Sequence, residues 1–544
     1  MTFSPFKFIH PAQRTIPLVV GCLFLLIAVL CVLISILSIN NEKFIYCIDD
    51  PYIHLALAEH IRHWHYGLNA GEFCAPSSSI LWPFIIAPFS SWDMFPFLIN
   101  FMSALLTVFV FYKILDKSFS INEMKIRSFF LSFLLILLIA ATNMIGLIFT
   151  GMEHSLQVLI VAIIAYGLIL EVEDGIVKPW FITAIIAAPL IRYEDLAISF
   201  AAILYLLLRK YYRSSIVSIF LITLFVGGFS AFLIHLGLGA LPASIMVKSS
   251  IMENAGKLHS IISNLHENFR APIGKFMVLG IIGLLAFFLL ERKNSKQRLL
   301  TVCTIFAIIL HLLVGRYGYL NRYEIYIWTF LLLIGCFLFS KPIVRIIDES
   351  DRACALMKVA LLGSLFVAAT CFDYIIDLFT IPIASNNTYE QQYQMHRFAV
   401  DYYNKPIAVN DLGVVSYKNK NYVLDLWGLG SREALKLRHS HNENSNWMNT
   451  LAQAKDVNFA MIYDEWFKVK PVNWINVGTL YLGKKQCGVA CKEVSFYAFN
   501  PKAYREIVPE LQLFQKTLPA DVIFRFAKEP SDSMPKASGF SNRL

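Results

Sequence analysis

The sequence predicts a polytopic α-helical membrane protein followed by an extracytoplasmic α/β domain. Three observations predict it. Of 544 residues, 57% are hydrophobic and 16% charged, whereas an ordinary soluble domain is about 45–50% apolar and about 25% charged. The apolar residues gather in blocks near the roughly 20 residues that a spanning helix requires. Beyond residue 381 those blocks stop, and the chain turns rich in Asn, Lys, Asp and Tyr. Low charge and ten cysteines exclude disordered and disulfide-scaffold classes. The chain divides into a membrane module, 1–381, with a first outer loop at 39–94, and an outer domain, 382–544.

In chain order the candidate spans lie at 16–38, 95–115, 128–149, 153–171, 178–191, 195–208, 214–236, 273–290, 299–314, 323–340 and 356–380. That is roughly eleven by length. The pair at 178–191 and 195–208 is short, so it reads as re-entrant, tilted or extended by its neighbours. Residues 79–90 are apolar but broken by Pro83 and Pro88, and they suit an interfacial segment. The first span is longer than the about 7–15 apolar residues of a secretory signal and reads as a retained anchor.

Lys and Arg in short loops set orientation. A cytoplasmic N-terminus gives 18 of them to inner segments and 9 to outer loops, with 20 beyond residue 382. This predicts a multi-pass protein of the cytoplasmic (inner) membrane whose C-terminal domain lies in the periplasm or outside. The net charge of +9 is then explained by loop cations, and no nucleic-acid partner is implied. In the outer domain, apolar runs at 407–410, 422–426 and 459–463 read as strands. Cys487 with Cys491, and Cys47 with Cys74, are candidate disulfides in an oxidising compartment. Free small apolar residues are the other reading of the second pair.

The first outer loop holds Asp49-Asp50-Pro51-Tyr52-Ile53-His54. Pro51 suits a first helical position and Asp50 the N-cap before it. Ile53, Leu57, Ile61 and Trp64 recur near helical spacing, which predicts an amphipathic helix on the outer membrane surface. Two adjacent carboxylates raise one another's pKa, which suits one of them to accept a proton near neutral pH. A helix cap with a solvated neighbour is the bland alternative. Other outer ends carry Gly151-Met152-Glu153-His154, Arg192-Tyr193-Glu194-Asp195, Leu241-Pro242-Ala243-Ser244 with Lys248, Arg316-Tyr317 and Arg322-Tyr323-Glu324. Cations gathered at one face suit a lipid-linked phosphate. Snorkelling residues and interhelical ion pairs are the alternative.

These stretches, with 77–82 (SSSILW), Ala58-Glu59, 410–417 (NDLGVVSY) and 425–429 (DLWGL), resemble the GT-C class of integral membrane glycosyltransferases. The pattern is most similar to polyprenyl-phosphate-dependent enzymes of the terminal arabinofuranosyltransferase type in bacterial envelopes. It runs from residue 49 to about 430. It departs from that type at Tyr193 and at Ala243-Ser244, which leaves the donor sugar open.

The resemblance implies a sugar carried on a polyprenyl phosphate, a glycan or glycolipid acceptor, and inversion at the anomeric carbon, with the first outer loop, 39–94, catalytic. Asp50 is the expected general base, and Asp49 takes that place if Asp50 is consumed as an N-cap acceptor. Lys248, Arg192, Arg322 and Arg316 are expected on the donor phosphate. Glu153, His54, Glu194 and Tyr52 are expected to position sugar or acceptor. No cofactor is required. His54, His60, His63 and His65 make a divalent metal compatible with this helix, but none is predicted. The rival readings are a transporter or flippase for a lipid-linked saccharide, an oligosaccharide ligase or polymerase, and a non-catalytic scaffold.

Overall fold

The computed structural model describes residues 11–248, 257–318, 320–349, 351–440 and 444–528. Every candidate span falls on one helix or on two consecutive helices, from Pro11–Ile39 to Phe372–Glu390. Among the described residues eight helices are individually long and apolar enough to cross a membrane. A further pair, Ile325–Leu338 and Ser340–Glu349, passes the same test together but bends by 48°. The architecture is thus that of a polytopic helical membrane protein with a C-terminal sheet domain. The helix His154–Asp174 runs through the centre of the bundle, and most of its residues are buried.

Two segments read as single spans are broken. The segment at 128–149 divides into Met124–Ala141 and Met144–Phe149. Asn143 adopts a left-handed backbone (φ 45°), which Asn tolerates better than most residues. The freed carbonyl of Ala141 accepts from Trp328 Nε1 at 3.0 Å, so the helix end is not left unsatisfied. The segment at 356–380 divides at Cys371 into Arg352–Thr370 and Phe372–Glu390, and the second helix runs on into the outer domain. Pro179–Ile191 and Leu196–Leu208 have 13 residues each. At 1.5 Å per residue each is about 20 Å long, short of a hydrocarbon core of about 30 Å. Their connection, at 192–195, carries the buried Arg192 and Asp195.

The outer domain is built on a six-stranded mixed sheet in the order β2-β1-β3-β5-β4-β6. The strands are β1 Ile407–Val409, β2 Val423–Asp425, β3 Phe459–Ile462, β4 Ile475–Tyr481, β5 Glu493–Ala498 and β6 Ile523–Phe526. β1 pairs with β2 and β3 in parallel, and the other pairs are antiparallel. The three predicted apolar runs are the three parallel strands. Such strands are buried on both faces and read as continuous apolar runs.

Two local expectations are corrected. The helix Asp50–Ile61 is not a surface helix, because residues 51–58 are all buried. The outer domain covers the side that water was expected to occupy, through contacts with the helix Gly413–Ser416. All ten cysteines are free. Cys47 Sγ instead donates to the Phe149 carbonyl at 3.3 Å. Residues 79–90 form a short helix, Trp82–Ile86, and a 3-10 turn, Ala87–Phe89. Trp82 and Ile86 are buried, while Phe84 and Phe89 stay exposed.

Gly151 holds the start of the site. Its φ is +64°, and a Cβ there would lie 2.7 Å from the Tyr46 ring and 2.8 Å from Pro51 Cβ. Gly151→Ala should lower stability by about 1–3 kcal/mol through backbone strain and overlap. A thermal melt of the purified protein reads this as a lower midpoint, and an unchanged midpoint would show that the packing yields at no cost.

Candidate functional site

Seven of the quoted stretches meet at one end of the bundle. The first outer loop supplies Asp49 and Asp50, at the start of the helix Asp50–Ile61. The carboxylate of Asp49 faces away from its own helix. Its Oδ2 accepts from Gly413 N at 2.6 Å and its Oδ1 from Val414 N at 2.8 Å. Gly413 is required there, since a Cβ would stand 2.2 Å from the Asp49 carbonyl oxygen. Asp50 points elsewhere. Its Oδ2 accepts from Arg322 Nη2 at 2.6 Å, and its side chain remains 21% exposed while Arg322 is buried. Asp50 therefore does not serve as the expected N-cap acceptor: the N-cap residue is Asp49, which makes no side-chain cap bond.

A second cluster lies beside the first. Arg192 donates from Nη1 to Glu153 Oε1 at 2.8 Å and clamps Glu194 through Nη2 (2.7 Å) and Nε (3.2 Å). Ser78 Oγ bridges the two, receiving a bond from Arg192 at 3.1 Å and donating to Glu153 at 3.2 Å. His54 Nε2 lies 4.0 Å from Glu153 Oε2, and its Nδ1 is 3.2 Å from Ser77 Oγ. Glu153 is buried and ion-paired with the buried Arg192, a pairing that favours the charged carboxylate. Glu153 is thus an anion that lacks a hydrogen bond at Oε2 among the described residues.

Tyr323 joins the clusters. The guanidinium carbons of Arg322 and Arg192 lie 5.3 and 5.7 Å from its ring centroid, both within cation–π range. The loop 241–244 docks on the same place: Ala243 N donates to the Ala75 carbonyl at 2.9 Å and Ser244 Oγ to the Ser77 carbonyl at 2.8 Å. Ile80 N and Leu81 N both bond the Leu190 carbonyl, just before Arg192.

The expected residues do not all share this geometry. Tyr52 is buried, accepting from Tyr46 N at 3.3 Å and packing against the Tyr417 ring. Arg316 is exposed, six residues before Arg322. Lys248 ends the helix Ala243–Lys248, and its side chain lies outside the described residues. Among the described residues no group of three or more His, Cys, Asp or Glu is placed to hold a metal ion. His65 Nε2 is instead engaged with the carbonyls of Asn69 and Glu72.

Asp411 carried no expected role, although it lies inside the quoted 410–417 stretch. It follows the carboxyl end of β1, and its Oδ2 accepts from Gln392 Nε2 at 3.0 Å and Tyr463 Oη at 2.9 Å. Its carboxyl is hydrogen-bonded to Asp49. Burial, and then the neighbouring carboxylate of Asp411, push Asp49 well above the usual carboxylate range; burial raises Asp411 as well. Two carboxylates this close cannot both ionise at low cost, so the pair holds a proton. The signal available in sequence was an Asp directly after an apolar strand. Its partner on the far side of the chain was not readable.

A family model described as a domain of unknown function, DUF8728, matches residues 383–497, the first part of the outer domain. No curated protein matches the chain. Two solved structures of an Archaeoglobus fulgidus oligosaccharyltransferase are similar in outline. One, a complex with Zn and sulfate, gives a TM-score of 0.41 at 10% identity, over 91% of this chain and 74% of that one. The other, AglB with an inhibitory peptide and a dolichol-phosphate, gives 0.41 at 8%, over 91% and 78%.

The proton held between Asp49 and Asp411 predicts a pH dependence. A carboxyl whose folded value is raised contributes stability that is complete below its unfolded value, 3.8, and is lost as pH rises through the folded one. The melting midpoint should therefore fall as pH rises from that value through the raised folded one. Asp411→Asn, whose amide can donate to Asp49 permanently, should flatten that fall. The same slope in both proteins would contradict the shared proton.

Proposed function

We propose that this protein is a GT-C-type membrane glycosyltransferase. It moves a sugar from a polyprenyl-phosphate donor to an envelope glycan or lipid acceptor at the outer face of the cytoplasmic membrane. The observation that carries this reading is the pairing of Asp50 with Arg322 at 2.6 Å, next to the Arg192–Glu153 pair. It sets an accessible carboxylate among buried cations at one end of a helical bundle. Burial strengthens those charges relative to the same groups in water.

The reaction runs as follows in this reading. Asp50 takes the proton of an acceptor hydroxyl. The acceptor oxygen forms a bond to the anomeric carbon as the bond from that carbon to the phosphate oxygen breaks, and attack from the opposite side inverts the centre. The polyprenyl phosphate leaves with the electron pair. Arg322 turns from Asp50 to the phosphate and, with Lys248, neutralises its developing charge, while Arg316 meets the lipid phosphate at the rim. Arg192 is already held by two carboxylates and acts chiefly through them: it keeps Glu153 ionised so that Oε2 can accept from a sugar hydroxyl. His54 and Glu194 fix that constellation. Asp49 anchors the outer domain, which leaves Asp50 the better base. An oligosaccharide ligase would use the same steps on a longer donor.

General-base catalysis is worth about 10²–10⁴-fold. Asp50→Asn should therefore lower transfer by at least about 100-fold, while a cooperative melt, with its midpoint lowered by the weakened pair with buried Arg322, shows that the protein still folds. Glycan and lipid-carrier profiling of a deletion strain complemented with this variant should show accumulated donor and a truncated product. Full product from Asp50→Asn would end the base assignment. Lys248→Ala should weaken donor use more than acceptor use in a two-substrate assay; equal effects would remove it from the phosphate.

A further inference from the structure

The helix Asp50–Ile61 closes on an unusual residue. Trp64 N donates to the Ile61 carbonyl at 2.9 Å and His65 N to the His60 carbonyl at 3.1 Å. This is a helix-ending turn whose left-handed position ordinarily falls to Gly or Asn. Here Trp64 fills it, at φ 58°. For a bulky residue that backbone is strained, and it persists where the surroundings or a function require it. Packing does not explain it, because Trp64 is 97% exposed. A large apolar ring is thus held clear of the protein surface at the cost of backbone strain.

The residues that follow fix the height of this turn along the bundle. Tyr66 is buried, with its ring centroid 5.5 Å from that of Phe232 and 6.2 Å from that of Phe229. Both partners belong to the last two turns of the span Tyr212–His235. Tyr66 also stacks on Phe84 at 6.2 Å, in the short apolar segment that precedes the span Phe95–Ser118. Phe89 and Trp92 continue that segment and lie 4.7 and 6.1 Å from Phe95, the first residue of the span. Phe84, Phe89, Trp92 and Phe232 are all exposed. Exposed aromatic rings at the ends of spanning helices gather at the membrane–water boundary, where an indole puts its apolar face against acyl chains and its N–H among headgroups. Arg62, also exposed, adds a guanidinium that matches a lipid phosphate.

We propose that Trp64 is an interfacial anchor, inserted into the headgroup region of the leaflet on the Asp50 side, with Arg62 on a lipid phosphate. The helix Asp50–Ile61 is then held at both ends by different partners. At its start the Asp49 carboxylate takes the amides of Gly413 and Val414 in the outer domain. At its close the Trp64 indole takes the bilayer surface. A glycan stacked on the same indole is the competing occupant, and the seat of Tyr66 against Phe229 and Phe232 favours lipid. This anchoring holds whatever reaction the acidic site performs.

The test uses full-length protein in nanodiscs of phosphatidylcholine and phosphatidylglycerol, made with and without bromine near the top of the acyl chains. Bromine quenches an indole only on close approach. The chain has nine Trp, so Trp64 is read as the difference in emission between the wild type and Trp64→Phe at equal concentration. Trp64→Gly gives the same difference independently. Both variants should fold, since the side chain is exposed and Gly suits the left-handed turn. The difference emission should fall about twofold or more in brominated lipid, as for an indole at headgroup level. An equal difference emission in the two lipids, with either variant, is the result for an indole facing water or a glycan and would overturn the anchor.

Discussion

The carboxylate of Asp49, accepting from the backbone of Gly413 and Val414, is the contact on which the remaining geometry depends. A buried carboxylate costs several kcal/mol unless its lone pairs are filled. Here two backbone amides and the Asp411 carboxyl fill them. That requirement binds the opening of the helix Asp50–Ile61 to the outer domain across some 360 residues of sequence. With Asp49 turned outward, Asp50 faces Arg322. One dipeptide thus provides an anchor and a half-buried carboxylate, and the backbone direction of the two residues separates the roles.

The bundle carries polar layers at both ends, and their chemistry differs. At the end away from Asp49, Glu171 meets Arg209 at 3.1 Å and Lys296 at 3.8 Å, and Lys117 meets Asp174 at 2.8 Å. Those pairs tie helix ends together. At the Asp49 end the ionic groups sit on loops and short helices, under a separate domain. Tyr323 between two guanidinium groups couples the Asp50–Arg322 pair to the Arg192–Glu153 pair. Charges on loops carried by a rigid bundle are where binding and chemistry concentrate.

Much of this was legible in the sequence. Long apolar runs located the helical segments, because lipid tolerates only internally bonded backbone, but among the described residues eight helices, and not roughly eleven, pass singly as spans. The three buried parallel strands read as apolar runs for the same reason that sheets covered on both faces always do. The site stretches were also visible, but not their division of labour. Nothing local says that Asp49 will meet Gly413, so Asp50 was expected as the cap. The stripe Ile53, Leu57, Ile61 suggested a membrane-surface helix because a cover supplied from residue 413 onward leaves no trace near residue 53. The breaks at Asn143 and Cys371 depend on tertiary partners such as Trp328 and stay hidden in a hydropathy profile. The cysteine pairs failed for a similar reason: spacing in sequence carries no distance in space.

The central claim is that a lipid-linked phosphate meets the protein at the end of the bundle where Asp50 and Arg322 pair. Photo-crosslinking with a polyprenyl phosphate bearing a diazirine beside the phosphate, followed by peptide mapping, measures this directly. Adducts on Arg322-Tyr323 and on the helix Ala243–Lys248 are the predicted result. Adducts confined to the opposite end, around Glu171, Arg209 and Lys296, would contradict it.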